Sequence, residues 1–380
     1  MKKIQMVDLL SQYEKIQGEV DQAIQNVVRS SAYINGPEVK SFQADLEAYL
    51  GVKHVIPCAN GTDALQIAMM GLDLKPGDEV ITATFTYVAT AEVIALLGLK
   101  PVLVDVNEDT FDLNPDQVRA AITERTKAIV PVHLFGQCAN MDAIMDIAKE
   151  HNLFVVEDTA QAIGADYTFN DGSQASAGCM GDIGTTSFFP SKNLGCYGDG
   201  GAIFTNNDEL AKKMRIISNH GQTVRYYHDM IGVNSRLDSM QAAILRCKLP
   251  HLNDYISARQ AAADYYDQAF KNVPELKVPA RNSNSSHVFH QYTLVLSDDI
   301  DRNALVEYLK TKDIPAMIYY PVALHMQKAY KDERYSDGDF PVTERLVSRV
   351  FSLPMHTELE TNQLELITSE VINFINNQRS

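Results

Sequence analysis

Two charged residues could do chemistry together: Lys192, within residues 187–195, and Asp158, where the apolar run that begins at Val155 ends in charge. A lysine amine can form a Schiff base with an aldehyde, and a carboxylate can keep a pyridine nitrogen protonated so that the ring accepts electrons. These are the two groups that a pyridoxal phosphate enzyme needs. Taken singly, a lysine after a proline turn is usually a solvated charge, and an aspartate at a strand end is often a helix cap.

The elements that must position these residues alternate between short apolar runs and helical patterns, as in a parallel sheet of βαβ units. Candidate strands lie at residues 54–58, 79–84, 101–106, 127–134, 153–157, 184–189 and 201–205. Helical patterns lie between them at residues 64–72, 89–97, 115–122, 141–150 and 208–218. Seven such strands predict one wide α/β domain, in which ligands gather at the carboxyl ends of the strands.

A smaller second domain is expected in the last third of the chain. Its predicted elements are a long helix at residues 252–271, a connection rich in Pro, Asn and Ser at 274–286, a strand at 290–296, a helix at 302–312 and two further helices. We therefore expect a large α/β domain at residues 1–250 and a small α+β domain at residues 251–380.

Composition limits the partners and the compartment. The chain has 380 residues, 45% of them hydrophobic, and a formal net charge of -16 without any Lys/Arg-rich block, so nucleic acid is not expected as a partner. Five scattered cysteines without a C-x-x-C pair indicate a reduced, cytoplasmic protein. The first residues do not resemble a signal peptide, and no apolar run is long enough to cross a bilayer, so no membrane role is expected. A bound metal is not expected either.

A phosphate site is predicted just after the first strand, at residues 59–63. Gly61 and Thr62 open a helix there, and the free backbone N–H groups of a helix start, its dipole and a threonine hydroxyl together attract an anion. The alternative is an ordinary Asn-Gly turn with Thr62 or Asp63 as the helix cap.

Three further candidates lie on or just beyond other predicted strands. Tyr87 could lay its ring against a planar cofactor, although an aromatic residue there is more often part of the core. Gln161 could place an amide beside Asp158, where it would contact a hydroxyl group on the cofactor ring, or it could simply contact solvent. Ser187 could donate to a phosphate, or bond its own backbone. The glycines at residues 195–201 match a dinucleotide-binding loop poorly, because a strand and not a helix follows them.

Five motifs in the same order resemble one family, the DegT-type nucleotide-sugar aminotransferases, which are pyridoxal phosphate enzymes of fold type I. The motifs lie at residues 59–65, 84–90, 157–161, 187–195 and 232–237. The resemblance implies a mainly parallel seven-stranded sheet and pyridoxal 5'-phosphate bound covalently to Lys192. It also implies that Asp158 pairs with the pyridine nitrogen and that Gln161 contacts the ring hydroxyl.

By the same resemblance, the phosphate is held by the Gly61-Thr62 turn, by Ser187 and by Asn234. In the family this asparagine comes from the neighbouring subunit, which implies an obligate homodimer with shared active sites. The implied reaction has two stages: L-glutamate first gives its amino group to the cofactor and leaves as 2-oxoglutarate, and a keto sugar then takes the amine. Lys192 is the implied acid and base.

Within the family, the likeness is greatest to enzymes that place an amine at C3 of a UDP-linked 2-acetamido-hexuronate for surface polysaccharides such as O-antigen. Arg236 would suit the substrate carboxylate, and Tyr319 and Tyr320 its hydroxyls; the alternative for Arg236 is a helix cap or an interface charge. Residues 170–178 look like an insertion. A deoxysugar on dTDP or UDP, or an inactive regulatory homologue, are the alternative functions, while the missing fingerprint opposes a nicotinamide enzyme.

Overall fold

The computed structural model describes residues 2–379. Its helices are α1 (Leu9–Ser30), α2 (Pro37–Leu50), α3 (Gly61–Gly71), α4 (Ala89–Leu96), α5 (Pro115–Ala120), α6 (Met141–His151), α7 (Asp208–Ile217), α8 (Ser239–Lys248), α9 (Leu252–Phe270), α10 (Arg302–Thr311), α11 (Pro341–Arg349) and α12 (Thr361–Arg379). Its strands are β1 (His54–Cys58), β2 (Glu79–Ala83), β3 (Lys100–Val104), β4 (Thr126–Val130), β5 (Phe154–Asp158), β6 (Asp166–Thr168), β7 (Gln174–Ser176), β8 (Ile183–Ser187), β9 (Gly201–Thr205), β10 (Gln222–Val224), β11 (Tyr227–His228), β12 (Leu276–Lys277), β13 (Tyr292–Leu296) and β14 (Val350–Leu353).

The seven predicted strands form one sheet in the order β1-β9-β8-β5-β4-β2-β3. Only β9 runs against the others, because it pairs antiparallel with both β1 and β8, so the expected mainly parallel α/β sheet is confirmed. The strand predicted at residues 127–134 ends earlier, at Val130, because Pro131 follows and the chain then enters a turn in which Phe135 has a φ of 59°.

Helices cover both faces of this sheet, as the near-continuous apolar strands require. Consecutive strand residues belong to two different hydrophobic cores: Val80 and Val156 face one, and Ile81 and Val155 the other. This alternation follows from the two-residue period of a strand. The carboxyl ends of β2, β4, β5 and β8 therefore share one edge, where polar side chains collect.

Beyond α8, a three-stranded antiparallel sheet in the order β12-β13-β14 packs with α9, α10 and α12 around a further core, which Ile4 near the start of the chain also joins. Residues 323–350 return to the large sheet: the Asp105 carboxylate after β3 accepts hydrogen bonds from Val342 N and Thr343 N, both at 2.9 Å, and so caps α11. The division at residues 250 and 251 stays a proposal.

The segment expected to be an insertion, residues 170–178, carries the turn and second strand of a hairpin formed by β6 and β7. Tyr167 in β6 also bridges to Ser285, so the hairpin pairs with the connection between the two parts of the chain. No helix among residues 2–379 has both the length and the apolar character that a bilayer-spanning segment needs.

Candidate active site

Asp158 is the last residue of β5 and is only 7% exposed. Both of its carboxylate oxygens accept a hydrogen bond: Oδ1 from Ala160 N at 3.1 Å, and Oδ2 from Thr90 Oγ1 at 2.9 Å. Thr90 lies in the first turn of α4, on a different segment of the chain. These two hydrogen bonds hold the carboxylate in a fixed direction. Because a carboxylate oxygen has more than one lone pair, each oxygen can still accept another hydrogen bond.

Gln161 lies three residues beyond Asp158 and is equally buried. Its Oε1 accepts a hydrogen bond from Phe135 N at 2.7 Å, and its Nε2 donates to Tyr320 Oη at 3.1 Å. The structure thus brings Asp158, Gln161 and Tyr320 together. Tyr320 also contacts the ring of Tyr87, with centroids 6.2 Å apart, and Tyr87 is 57% exposed, so its ring faces open space and not the core.

Lys192 lies in a tight loop after β8. A Cβ on Gly195 would lie 2.3 Å from Pro190 O, so only glycine lets the loop close, and Asn193 Nδ2 anchors it to Val288 O at 2.8 Å. Burial lowers the pKa of the Lys192 amine to about 8, although the neighbouring Asp158 carboxylate raises it. A lysine with a low pKa is poised to act as a nucleophile and as a base.

A second buried lysine has the same low pKa but a different environment. Burial lowers the pKa of Lys248 to about 8, and its Nζ donates to Gly195 O at 2.7 Å beneath the ring of Tyr197. Lys248 is only 1% exposed, whereas Lys192 is half-buried. Of these two lysines, Lys192 is therefore the one that combines a low pKa with access for a ligand.

The start of α3 lies next to the end of β8, the strand that precedes the Lys192 loop. A Cβ on Gly61 would lie 2.7 Å from the Cβ of Ser187, so the glycine lets the helix start lie against the end of β8. Asn60 Oδ1 caps the helix by accepting from Asp63 N at 2.8 Å, which leaves the N–H groups of Gly61 and Thr62 without an acceptor within residues 2–379. Two free N–H groups beside the Ser187 hydroxyl form an anion site.

Tyr319 lies beside Tyr320, with ring centroids 6.0 Å apart, whereas Asn234 and Arg236 lie on another segment. Ser235 Oγ accepts from Ala59 N at 3.0 Å, which places this segment beside the end of β1, while the side chain of Asn234 is exposed. Arg236 is half-buried and donates from Nη1 to Asn219 Oδ1 at 3.2 Å. Within residues 2–379, neither Asn234 nor Arg236 hydrogen-bonds to Lys192, Asp158 or Gln161.

Comparison with known proteins decides the class. The model of the DegT/DnrJ/EryC1/StrS aminotransferase family matches residues 14–372. The chain belongs to this family. It is 46% identical to the UDP-2-acetamido-2-deoxy-3-oxo-D-glucuronate aminotransferase of Pseudomonas aeruginosa, over 97% of this chain and 100% of that protein. It is also 46% identical to the pleiotropic regulatory protein of Geobacillus stearothermophilus, over 98% of both chains.

A crystal structure of DesV from S. venezuelae matches with a TM-score of 0.94 at 38% identity and covers 99% of both chains. The family, the fold class and the aminotransferase activity that the motifs predicted are therefore confirmed. As a member of the family, the chain is an aminotransferase.

Two features of this aminotransferase site were not predicted from the sequence. Thr90 lies within a recognised motif, but only the fold shows that its hydroxyl holds Asp158. His290 is buried beside the lysine loop, where its Nδ1 has no hydrogen-bond partner in the described chain, and burial and the neighbouring Lys192 hold its pKa well below the usual range. In the sequence, His290 only opens a predicted strand, which indicates neither its unpartnered Nδ1 nor its lowered pKa.

Proposed function

We propose that this aminotransferase uses pyridoxal 5'-phosphate to move an amino group from L-glutamate to the keto group of a nucleotide-linked sugar. One observation carries the proposal: a half-buried lysine amine with a pKa of about 8 lies near a carboxylate held at the end of β5. A structural neighbour from Bacillus subtilis, 30% identical to this chain, is described with the bound cofactor PMP, which supports the cofactor.

The residues present fit this cofactor. Asp158 would face the pyridine nitrogen, Gln161 the ring hydroxyl, and Tyr87 the ring plane. The phosphate would meet the free N–H groups of Gly61 and Thr62 and the Ser187 hydroxyl, whose oxygen accepts from Phe189 N at 3.2 Å and whose proton is left to donate. When bound, the group supplies an electron-accepting ring that stabilises negative charge on the carbon bearing the amine.

Lys192 would have two roles. Its amine would hold the cofactor covalently before substrate arrives, and its Nζ, once free, would serve as the acid and base that moves a proton at the reacting carbon atoms. A pKa of about 8 suits both tasks near neutral pH, because the proton is neither too tightly nor too weakly held. Asp158 would pair with the pyridine nitrogen, and the hydrogen bonds from Thr90 and Ala160 hold its carboxylate in position for this.

We further propose a homodimer in which Asn234 completes the phosphate site of the partner. Its exposed side chain lies near a group of exposed apolar residues, of which Tyr226 is 76%, Tyr227 68% and Ile231 85% exposed. Apolar exposure on this scale usually marks a surface that another chain covers. Hybrids that combine Lys192→Ala with Asn234→Ala subunits should regain activity, because one of their two sites holds both native residues; hybrids no more active than their parents would contradict this.

The proposed acceptor is a UDP-linked 3-keto-2-acetamido-hexuronate, used for surface polysaccharide such as O-antigen. The Pseudomonas relative named for such a uronate supports it. Arg236 supplies the cation that a buried carboxylate requires, since its guanidinium makes a single hydrogen bond within residues 2–379, and Tyr319 and Tyr320 supply hydroxyls. A cytoplasmic location, supported by five unpaired cysteines, belongs to the same proposal.

The test runs the reaction in reverse, with the 3-amino-uronate and 2-oxoglutarate, and measures glutamate. The 3-amino-uronate should react far faster than a 4-amino-6-deoxysugar. Arg236→Ala should selectively slow the reaction of the 3-amino-uronate, while glutamate still transfers its amino group to the cofactor. Arg119→Ala, which removes an exposed arginine paired with Glu150, serves as the control. Equal rates on both sugars would overturn the uronate assignment and leave the aminotransferase activity standing. A deoxysugar on dTDP, for which a Streptomyces venezuelae relative is named, is the alternative acceptor.

A regulatory role is the second candidate, because one 46% identical relative is named a regulatory protein. Such a protein need not keep the chemical groups. The measurement that separates the two is turnover: a chain that binds the cofactor but forms no glutamate from any amino sugar would be a regulator or scaffold.

A further inference from the structure

Both ends of the Gln161 amide are already bonded inside the protein. Oε1 accepts the N–H of Phe135 at 2.7 Å, and Nε2 donates one of its two protons to Tyr320 Oη at 3.1 Å. The residue is 7% exposed, so water does not compete freely for these bonds. One N–H group of the amide is left, and it is the only part of the amide that can act on a ligand as a donor.

The orientation of the oxygen is set by a buried turn. Phe135 has a φ of 59° and Gly136 a φ of 113°, and a Cβ on Gly136 would lie 2.9 Å from His290 N. The ring of Phe135 packs edge-on against Phe85 and Phe111, with centroids 6.4 and 5.4 Å apart. Because the turn is buried, the N–H group of Phe135 has a fixed position. Its hydrogen bond therefore holds the Gln161 amide oxygen toward the turn and away from the open site.

The orientation of the nitrogen is set by Tyr320, which comes from the other part of the chain. Its segment is tied to β14 through two backbone bonds between Met317 and Ser352, at 3.1 and 2.7 Å. Its ring meets Phe85 edge-on, with centroids 6.3 Å apart. The hydroxyl oxygen is therefore a fixed acceptor, and within residues 2–379 its own proton has no acceptor and can be donated to a ligand.

We propose that Tyr320 is a positioning residue that acts through Gln161: it takes one N–H of the amide and thereby aims the other at the ring hydroxyl oxygen of the cofactor. The inference rests on the proposed role of Gln161. A donor at that oxygen stabilises its negative charge, and an oxygen stabilised in this way attracts the proton on the neighbouring Lys192 nitrogen less. Tyr320 thus lowers the pH at which Lys192, joined to the cofactor, loses its proton.

The test is a pH titration of the visible absorption of the cofactor-loaded protein between pH 5 and 10. Tyr320→Phe should raise the midpoint by about half to one pH unit, which corresponds to about 0.7–1.4 kcal/mol. Gln161→Met should raise it at least as much, and adding Tyr320→Phe to Gln161→Met should change nothing further, because the tyrosine acts through the amide. Tyr319→Phe, which removes the neighbouring hydroxyl, should leave the midpoint unchanged.

The double variant separates the alternatives. If Tyr320→Phe shifts the midpoint equally with and without Gln161, the tyrosine acts on the cofactor directly and the inference is wrong; an unchanged midpoint, or a band that does not titrate, is equally contrary. Should Gln161→Met not fold, Gln161→Glu keeps the acceptor for Phe135 N–H, has no N–H to donate, and should also raise the midpoint. Failure of the proposed function looks different, because a wild-type protein without a visible band would have no cofactor bond at all.

Discussion

Replacing Glu157 by glutamine should destabilise the protein strongly, although the two side chains have the same shape. The Glu157 side chain is fully buried, and its carboxylate accepts four hydrogen bonds. Its Oε1 accepts from Met180 N at 2.7 Å and Gly181 N at 2.6 Å, and its Oε2 from Gly178 N at 2.8 Å and His133 Nε2 at 2.9 Å. These bonds fasten the loop between β7 and β8, and His133 beyond β4, to the strand that carries Asp158.

A glutamine cannot satisfy this arrangement in either orientation. Its NH2 group would face two donors at whichever end it occupies. His133 cannot change tautomer to accept, because its Nδ1 already accepts from Ala139 N at 3.1 Å. Two bonds to a charged acceptor are therefore lost, at about 1.5–3 kcal/mol each, which gives about 3–6 kcal/mol in total. Whole proteins are stable by about 5–15 kcal/mol.

Urea unfolding of the cofactor-free protein, followed by circular dichroism and by tyrosine fluorescence, measures the change. Glu150→Gln is the matched control, because that carboxylate is exposed and pairs with exposed Arg119, so its loss should hardly shift the urea midpoint. If Glu157→Gln cost less than about 1 kcal/mol, the four bonds would not carry the stability assigned to them.

Three further predictions concern the cofactor site. Because the pKa of Lys192 is lowered to about 8, its amine loses its proton as the pH rises through 8, so covalent capture of added cofactor should accelerate around that pH; a midpoint above pH 10 would show an ordinary, solvated lysine. Gly61→Ala should weaken binding of pyridoxal phosphate tenfold or more, about 1.4 kcal/mol, but hardly that of pyridoxal without phosphate, because the new Cβ would lie 2.7 Å from Ser187 Cβ and push the helix start away. Thr90→Val should weaken cofactor binding about tenfold while Thr90→Ser keeps it, since only serine retains the hydroxyl that holds Asp158; equal losses in a binding titration would assign the effect to packing.

Sequence reasoning found the large sheet because its strands are apolar runs separated by turn residues. It missed α1 and α2, although Asp8 caps α1 through Ser11 N at 3.0 Å and Pro37 opens α2, since no chemical motif drew attention to them. The strand at residues 127–134 was drawn too long because an apolar side chain at Leu134 is equally compatible with a buried turn.

The sequence predicted that Lys192 and Asp158 lie together, and the structure does place the Asp158 carboxylate near the Lys192 amine, while their chemical roles stay a proposal. The site was not predictable where the partner is distant or is backbone. Tyr320 lies 159 residues from Gln161, and the acceptor of the Phe135 N–H group could be known only from the folded turn. Asn234 belongs to the same class, because the proposed partner subunit decides which site it completes.

The central claim is that Lys192 alone bonds the cofactor. Borohydride reduction of the cofactor-loaded protein, followed by proteolysis and mass spectrometry, tests it directly. The prediction is one reduced cofactor per chain, on the peptide that contains Lys192, and none in Lys192→Ala. Cofactor found instead on Lys248, the other buried lysine with a pKa of about 8, or on no lysine at all, would contradict the account.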